Sequence, residues 1–372
     1  MSQARLFTPF EFGGLDLANR IVISPMCQYS AEEGRMTDWH LIHLGQMALS
    51  GAALQIIEAT AVTPEGRITS SDAGLWSDDC EAAMRRVLEG VRRWSDMPLG
   101  IQLAHAGRKA SCELPWKGGR QMAPGAAPHG WRAVSACDTP FTPGDAAPRR
   151  LDVEGISQIR RAFAEAARRS ARLGFDTVQI HGAHGYLIHQ FLSPLCNDRD
   201  DAYGGSLENR MRVALEVFEA VRDAFPADRP VTFRVSATDW AEGGWDVEQT
   251  QALAQALEAR GCAAIDVSSG GLTLKQTVPL GPGYQVPLAR AVKQAVRMPV
   301  VTVGLITGFD QAEQILVAGD ADLVALARGL LYDPRWPWRA AAHFGAQLKA
   351  APQYLRAPPA GHAGLLVPFD DR

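Results

Sequence analysis

Eight short apolar runs, rich in β-branched residues, begin near positions 21, 54, 99, 177, 231, 263, 299 and 322 of this 372-residue chain, with helical patterns between them. Runs of this kind suit strands covered on both faces, and strands that alternate with helices assemble into a parallel sheet. Eight β units predict an α/β chain folded as a (β/α)8 barrel of the TIM type, within one domain over 1–350. Helices are expected over 38–50, 80–94, 152–173, 206–225, 247–260 and 286–297, the first starting behind Asp38 as a cap. Ahead of the first strand, TPFEFGGLDLANR alternates around a Gly-Gly turn and reads as a hairpin that plugs one end of the barrel. After the third strand, 111–150 is rich in Pro, Gly and Ala; a loop of that length reads as a cap over the site. The tail, 351–372, has neither helical nor strand periodicity.

Composition narrows the function. Lys plus Arg number 37 against 41 Asp plus Glu, and a net charge of −4 gives no electrostatic case for nucleic acid or an anionic membrane. No apolar run reaches membrane-spanning length and the amino terminus lacks a signal pattern, so a cytoplasmic protein acting on a small molecule is expected. Six cysteines without pairing motifs (27, 80, 112, 137, 196 and 262) read as reduced thiols.

Barrel enzymes keep their chemistry at the carboxyl ends of the strands. The fourth run, TVQI, stops where His181, His184 and Tyr186 begin, placing two imidazoles and a phenol on one turn. Three readings compete. A metal pair lacks a third ligand at matched spacing; two buried histidines can instead satisfy backbone groups; or both imidazoles grip a carbonyl or nitro oxygen while Tyr186 delivers a proton. The other strand ends add candidates. SPMCQYS follows the first strand, with Cys27 either a small buried hydrophobe or a functional thiol. Gln102 ends the third strand with an amide that offers both a donor and an acceptor. His105, Arg108 and Lys109 behind it are either solvated charges or substrate-side groups. Arg234 sits inside an apolar strand and has to meet an anion there, structural or cofactor-borne. Gly304 and Ala327 with Arg328 occupy the loops after strands seven and eight, where barrels bind phosphate. Neither G-x-G-x-x-G nor a P-loop is present, so no Rossmann domain is expected, and a nicotinamide cofactor, if used, has to visit without a fold of its own.

The run HGAHGYLIHQFLSP, followed by N-x-R-x-D-x-YGGS-x-ENR, resembles the old yellow enzyme family of FMN-dependent ene-reductases, in its bacterial thermophilic-like class, and the likeness extends from about residue 7 to 356. The resemblance implies bound FMN, NADPH as transient hydride donor with NADH possible, and reduction of enones, enals, maleimides or nitroalkenes by hydride from flavin N5. It implies that Ser24, Pro25, Met26 and Ala59 lie against the flavin, that Cys27 tunes its potential, and that Tyr29 faces substrate. By the same likeness Arg234 answers the negative charge of the reduced ring, His181 and His184 hold the activating oxygen, and Tyr186 protonates the α-carbon. The family's usual Gly-Arg is Ala327-Arg328 here, which demands a negative φ at Ala327. Gln353, Tyr354 and Arg356 match a carboxyl-terminal motif that sends an arginine into a neighbouring subunit, implying a homodimer or homotetramer; residues 357–372 run past the usual family end. No metal is expected. Two rival readings stand beside this one: a phosphate-binding barrel aldolase or isomerase using Lys109 or Glu58, and a non-catalytic flavin carrier.

Overall fold

The structure, a computed structural model, describes residues 3–127 and 129–369. An antiparallel hairpin of β1 (Phe10–Phe12) and β2 (Leu15–Leu17) comes first, turning through Gly13 and Gly14, both at positive φ. Phe12 and Leu17 pack with Val22, Leu54, Ala264 and Leu323, so the hairpin stoppers the amino-terminal mouth of the barrel. A side chain at Gly13 has no room, because its Cβ would fall 2.6 Å from that of Ala263.

Eight parallel strands then close on themselves in chain order. They are β3 (Ile21–Ile23), β4 (Leu54–Ala61) and β5 (Leu99–Ala104), then, after a short parallel pair β6 (Val134–Ser135) and β7 (Arg149–Arg150), β8 (Thr177–Gly182), β9 (Val231–Ser236), β10 (Ile265–Ser268), β11 (Val300–Val303) and β12 (Leu323–Leu326). Outside run α1 (Asp38–Ala48), α2 (Asp78–Arg92), α3 (Val153–Arg172), α4 (Leu187–Leu192), α5 (Leu207–Ala224), α6 (Val247–Glu258), α7 (Val286–Ala295), α8 (Phe309–Val317), α9 (Arg328–Tyr332) and α10 (Trp336–Phe344). The (β/α)8 barrel expected from the strand count is the observed fold. Among the described residues no helix is long and apolar enough to cross a membrane.

Helix α3 shows why these segments fold as they do. The Asp152 carboxylate accepts from the Gly155 amide at 2.7 Å, which satisfies one of the free donors of the first turn. Ile156, Ile159, Phe163, Ala166, Ala167 and Ser170 then fall on one buried face at helical spacing. Burying Phe163 contributes about 2–3 kcal/mol relative to leaving it in water. The helix ends where Gly174 takes a positive φ of 75°. Arg169 and Arg172 on α3 converge on Glu81 of α2, at 2.9 and 2.8 Å, and tie the two helices.

Several local expectations change. Helix α1 is capped by Thr37, in a box with His40, and not by Asp38. Its first turn buries His40 completely, 3.3 Å from Glu58. The helix α4 was invisible because six residues are too few to show a period. The segment 111–150 is not structureless: it holds the β6–β7 pair and a single turn at Pro115–Lys117. The tail also contains a strand, β14 (Leu366–Pro368), that returns to pair with β13 (Leu348–Ala350), so a boundary drawn at 350 cuts a paired element.

Gly100 lies inside β5, where an added Cβ would sit 2.4 Å from Ile56 Cδ1 and 2.6 Å from Thr177 Cγ2. Gly100→Ala is therefore expected to destabilise the fold by about 1–3 kcal/mol through overpacking. Urea unfolding measures this, and a loss under about 0.5 kcal/mol would mean that the two neighbours can turn aside.

Candidate active site

Strand β8 delivers His181 at its end, and the chain then breaks into the turn that carries His184 and Tyr186. The His181 ring stands edge-on to both, 5.1 Å from His184 and 5.1 Å from Tyr186. His184 has a left-handed φ of 59°, a conformation that costs an L-residue about 1 kcal/mol or more and has to be enforced by its surroundings. They do enforce it. The His184 amide donates to Ser236 Oγ at 2.9 Å, and Lys109 Nζ donates to the His184 carbonyl at 2.9 Å and to that of Gly271 at 3.0 Å. Gly271 is pressed so close that a Cβ there would lie 2.7 Å from the His184 backbone.

Protonation states follow from burial. Loss of water, then the Arg234 charge, hold both imidazoles well below the usual histidine range, so both are neutral near pH 7. His181 Nδ1 accepts from the Ala183 amide at 3.3 Å, which puts the ring proton on Nε2. His184 Nε2 lies 2.7 Å from Ser268 Oγ. The same hydroxyl donates to Gln285 Oε1 at 3.4 Å. His181 Nε2–H is the ring donor that these contacts assign. Desolvation raises the Tyr186 phenol well above its ordinary value although the ring stays partly open, so it too is protonated. Cys27 is likewise raised well above the ordinary thiol value, by burial first and then by Asp72 and Glu58, and it stays a thiol.

Apart from Arg356, the remaining predicted residues lie on the barrel strands or the loops that follow them. Gln102 and Gln179 are neighbours in the barrel, Gln102 Nε2 donating to Gln179 Oε1 at 2.7 Å. Arg234 pairs in register with His181 on one side and Asp266 on the other. Its Nε is 3.4 Å from Asp266 Oδ2 without a hydrogen-bond partner, and the residue is 6% exposed. A cavity of about 490 Å³ opens beside it, lined by Arg234, Ser268, Gln285, Gly304, Ala327 and Arg328 among others. At Gly304 φ is 117° and a Cβ would collide with Gln285 Nε2 at 2.5 Å, so only glycine fits. Ala327 takes φ −113° and precedes α9, whose first residue is Arg328. Ser24 Oγ is buried without a partner, Pro25 and Met26 are half-buried beyond it, and Tyr29 has a left-handed φ of 52°. Ala59 follows a bulge in β4 and faces a narrow crevice shared with Asp72 and Tyr186. Arg356 is exposed on the tail.

Some residues do other work than the sequence suggested. His105 and Arg108 are buried, at 1% and 6% exposure, so they are not solvated charges. Lys109, which burial lowers to about 8, is committed to two carbonyls, and Glu58 to His40 and the Gln28 amide at 3.0 Å. Neither is free for aldolase chemistry. Reading the sequence missed Ser268 and Asp266 on β10, though both are polar residues in an apolar run at a strand end, the same signal that marked Arg234. It also missed Trp116, edge-on to Tyr29 at 6.0 Å, and Trp131, which packs with Ile68 and Tyr186.

Orphaned buried groups on and just after the barrel strands (Ser24 Oγ, Thr302 Oγ1 and Arg234 Nε) and a cavity lined by two arginines, Arg234 and Arg328, fit a flat group carrying polar edges and an anionic tail, as FMN does. The comparisons point the same way. Residues 5–347 match the profile of the NADH:flavin oxidoreductase / NADH oxidase family. An NADPH dehydrogenase of Listeria innocua is 42% identical over 95% of this chain and 99% of its own length. An NADH:flavin oxidoreductase of Gibberella zeae is 42% identical over 94% and 88%. Among solved structures, morphinone reductase superposes with a TM-score of 0.77 at 27% identity, covering 98% of this chain and 97% of its own.

Asp72, beside Tyr186, accepts from the Ile68 amide and from Thr69 Oγ1, both at 2.7 Å, and burial raises its carboxyl from 3.8 to about 7. A carboxyl raised by folding takes up a proton as the chain folds, so its contribution is complete below 3.8 and is lost as pH rises through about 7. The stability of the wild type relative to Asp72→Asn is expected to fall between pH 5 and 7 by at most about 1.4 kcal/mol per unit. Urea titrations at three pH values test this, and a constant difference overturns it.

Proposed function

The chain belongs to the NADH:flavin oxidoreductase / NADH oxidase family, the old yellow enzymes, and is a flavin-dependent oxidoreductase; from that premise we propose that it uses NADPH to reduce the C=C bond of activated alkenes. The substrates would be enones, enals, maleimides and nitroalkenes. The observation that carries this reading is the neutral imidazole of His181 with a second neutral imidazole, His184, and a protonated phenol, Tyr186, each 5.1 Å from it, next to a cavity suited to a flavin. When bound, FMN accepts hydride from the nicotinamide and gives hydride to the electron-poor alkene.

The chain's own residues do the rest. His181 Nε2–H and the ring N–H of His184 donate to the carbonyl or nitro oxygen, where negative charge grows in the transition state, and donors fixed in advance lower that barrier most. Ser268 holds the His184 ring in place. Tyr186 gives its phenolic proton to the α-carbon. Arg234 and Gln102 would meet the polar edge of the flavin, Gly304, Ala327 and Arg328 its phosphate, and Ser24, Pro25, Met26, Cys27 and Ala59 its ring. Trp116 meets Tyr29 edge-on, and Trp131 packs in the same cluster as Tyr186. A cytoplasmic address accords with six unpaired thiols, and cell fractionation checks it.

Heating the purified protein should release FMN, and a colourless protein would end the proposal. Tyr186→Phe should leave reduction by NADPH intact and slow alkene reduction about a hundredfold or more. Equal alkene-reduction rates in stopped flow would remove Tyr186 from the mechanism.

We extend the proposal to the assembly. Tyr354 meets Trp338 edge-on at 5.7 Å and lies under the Arg335 guanidinium at 4.9 Å, which anchors the tail two residues before exposed Arg356. Arg356 would enter a partner's site in a homodimer or homotetramer. Mixing Arg356→Ala with Tyr186→Phe chains should then create one intact site per mixed pair and exceed either parent. Activity at the parents' average would sink the idea.

A further inference from the structure

The six cysteines, read from sequence as independent thiols, do not all stay apart in the fold. Cys137 on the segment 111–150 and Cys196 after α4 stand with their sulfurs 3.2 Å apart, though 59 positions separate them. Both are free and almost fully buried, at 1% and 4% exposure, and with Leu272 they form a small apolar cluster. The wrapping is thin: Asp138 and Thr139 follow Cys137 directly and are exposed, as is Leu195 before Cys196. The two sulfurs need to approach by only about 1.2 Å to bond.

The pair is asymmetric. The Ser135 hydroxyl lies 3.6 Å from Cys137 Sγ, and Arg108 Nη1 lies 3.8 Å from it. That guanidinium is fixed by the Leu272 carbonyl at 2.9 Å and the Thr139 carbonyl at 3.3 Å. Donation from the Cys196 thiol, together with the Arg108 charge, draws Cys137 down to about 6, while the same hydrogen bond and burial push Cys196 well above the usual thiol value. Cys137 is therefore the thiolate near pH 7, and thiolates are the nucleophiles.

We propose that Cys137 and Cys196 form a redox-active dithiol for which a small hydroperoxide is the oxidant, Cys137 being attacked first and Cys196 resolving it. The Cys137 sulfur bonds to one peroxide oxygen, the O–O bond breaks, and the leaving oxygen takes a proton from water. Cys196 then attacks the Cys137 sulfenyl sulfur; the S–S bond forms, the S–O bond breaks, and hydroxide departs with the Cys196 proton as water. Two thiols and one hydroperoxide thus give one disulfide, one alcohol (water, for hydrogen peroxide) and one water. The bridge ties the segment that carries Trp116 and Trp131 to the loop beyond Tyr186.

The test treats reduced, full-length, flavin-loaded protein with hydrogen peroxide, blocks the remaining thiols in denaturant, and maps the peptides. A cross-link between Cys137 and Cys196 is expected, with two of six thiols lost, recovered by dithiothreitol, and Cys137 consumed about tenfold faster than Cys27. In Cys196→Ser, dimedone should label Cys137. Free thiols at 137 and 196 after Cys27 has reacted overturn the proposal, as does a dimedone adduct on Cys196 in Cys137→Ser. A sulfinic acid at Cys137 beside an unreacted Cys196 overturns it as well. The wild-type map decides even if a variant fails to fold.

Discussion

A guanidinium inside a closed barrel is the constraint on which the rest of this molecule turns. Arg234 and Asp266 are adjacent in the barrel wall, both buried, and Arg234 Nε stays 3.4 Å from the carboxylate without a proper hydrogen bond. Removing two charges from water costs several kcal/mol each, and a loose contact does not return it. The carboxylate is also approached by Gln179 Nε2, at 3.3 Å, and Gln179 accepts from Gln102. A line of polar side chains therefore crosses the wall from β5 to β10, and its open end is the cavity beside Arg234. A ligand with an anionic or carbonyl edge completes that line. An apolar barrel would be the more stable fold, so the polar wall reads as a binding feature that the surrounding core tolerates.

The second constraint is conformational. Tyr29, His184 and Leu305 hold left-handed φ values of 52°, 59° and 51°, and each follows the end of a barrel strand. The strain is kept where the chain leaves the rigid sheet and has to aim a side chain within a few residues. Fixed groups outside the first contacts hold it there. His189 Nδ1 accepts from the Gly185 amide at 2.9 Å, and its Nε2 lies 2.9 Å from Asp239, which also takes the Ser193 hydroxyl at 2.5 Å. The turn bearing His184 and Tyr186 is thus locked from behind, which gives the imidazole donors a fixed direction before any substrate arrives.

What the sequence revealed follows from how local each feature is. The barrel strands were legible because a run such as VTFRVS declares a buried strand by itself, and His181, His184 and Tyr186 fall within six residues. Ser268 was not legible as a partner of His184, since 84 positions separate them and only closure of the barrel brings them to 2.7 Å. The strand β14 needs β13 beside it, and neither three-residue piece has a pattern of its own. The pairing of Cys137 with Cys196 was equally hidden, because spacing along the chain says nothing about two loops that meet over Arg108.

The segment 111–150 illustrates how such a loop becomes a wall. A free chain of this length would lose much entropy on docking, so it needs many fixed points. The structure supplies them from beneath. Arg199 donates to the carbonyls of Ala136, at 3.3 Å, and Leu151, at 2.6 Å. Gln190 Oε1 accepts from the Ser135 hydroxyl at 2.9 Å and the Arg108 amide at 3.2 Å, and Arg150 pairs with Asp198 at 2.8 Å. These anchors lie on α4 and the loop after it, the elements that follow Tyr186 directly. Segment and phenol therefore share one support, and a shift in either moves Trp131 relative to Tyr186. The place of this segment beside Tyr186 is therefore fixed by its packing on α4 and on the loop after it.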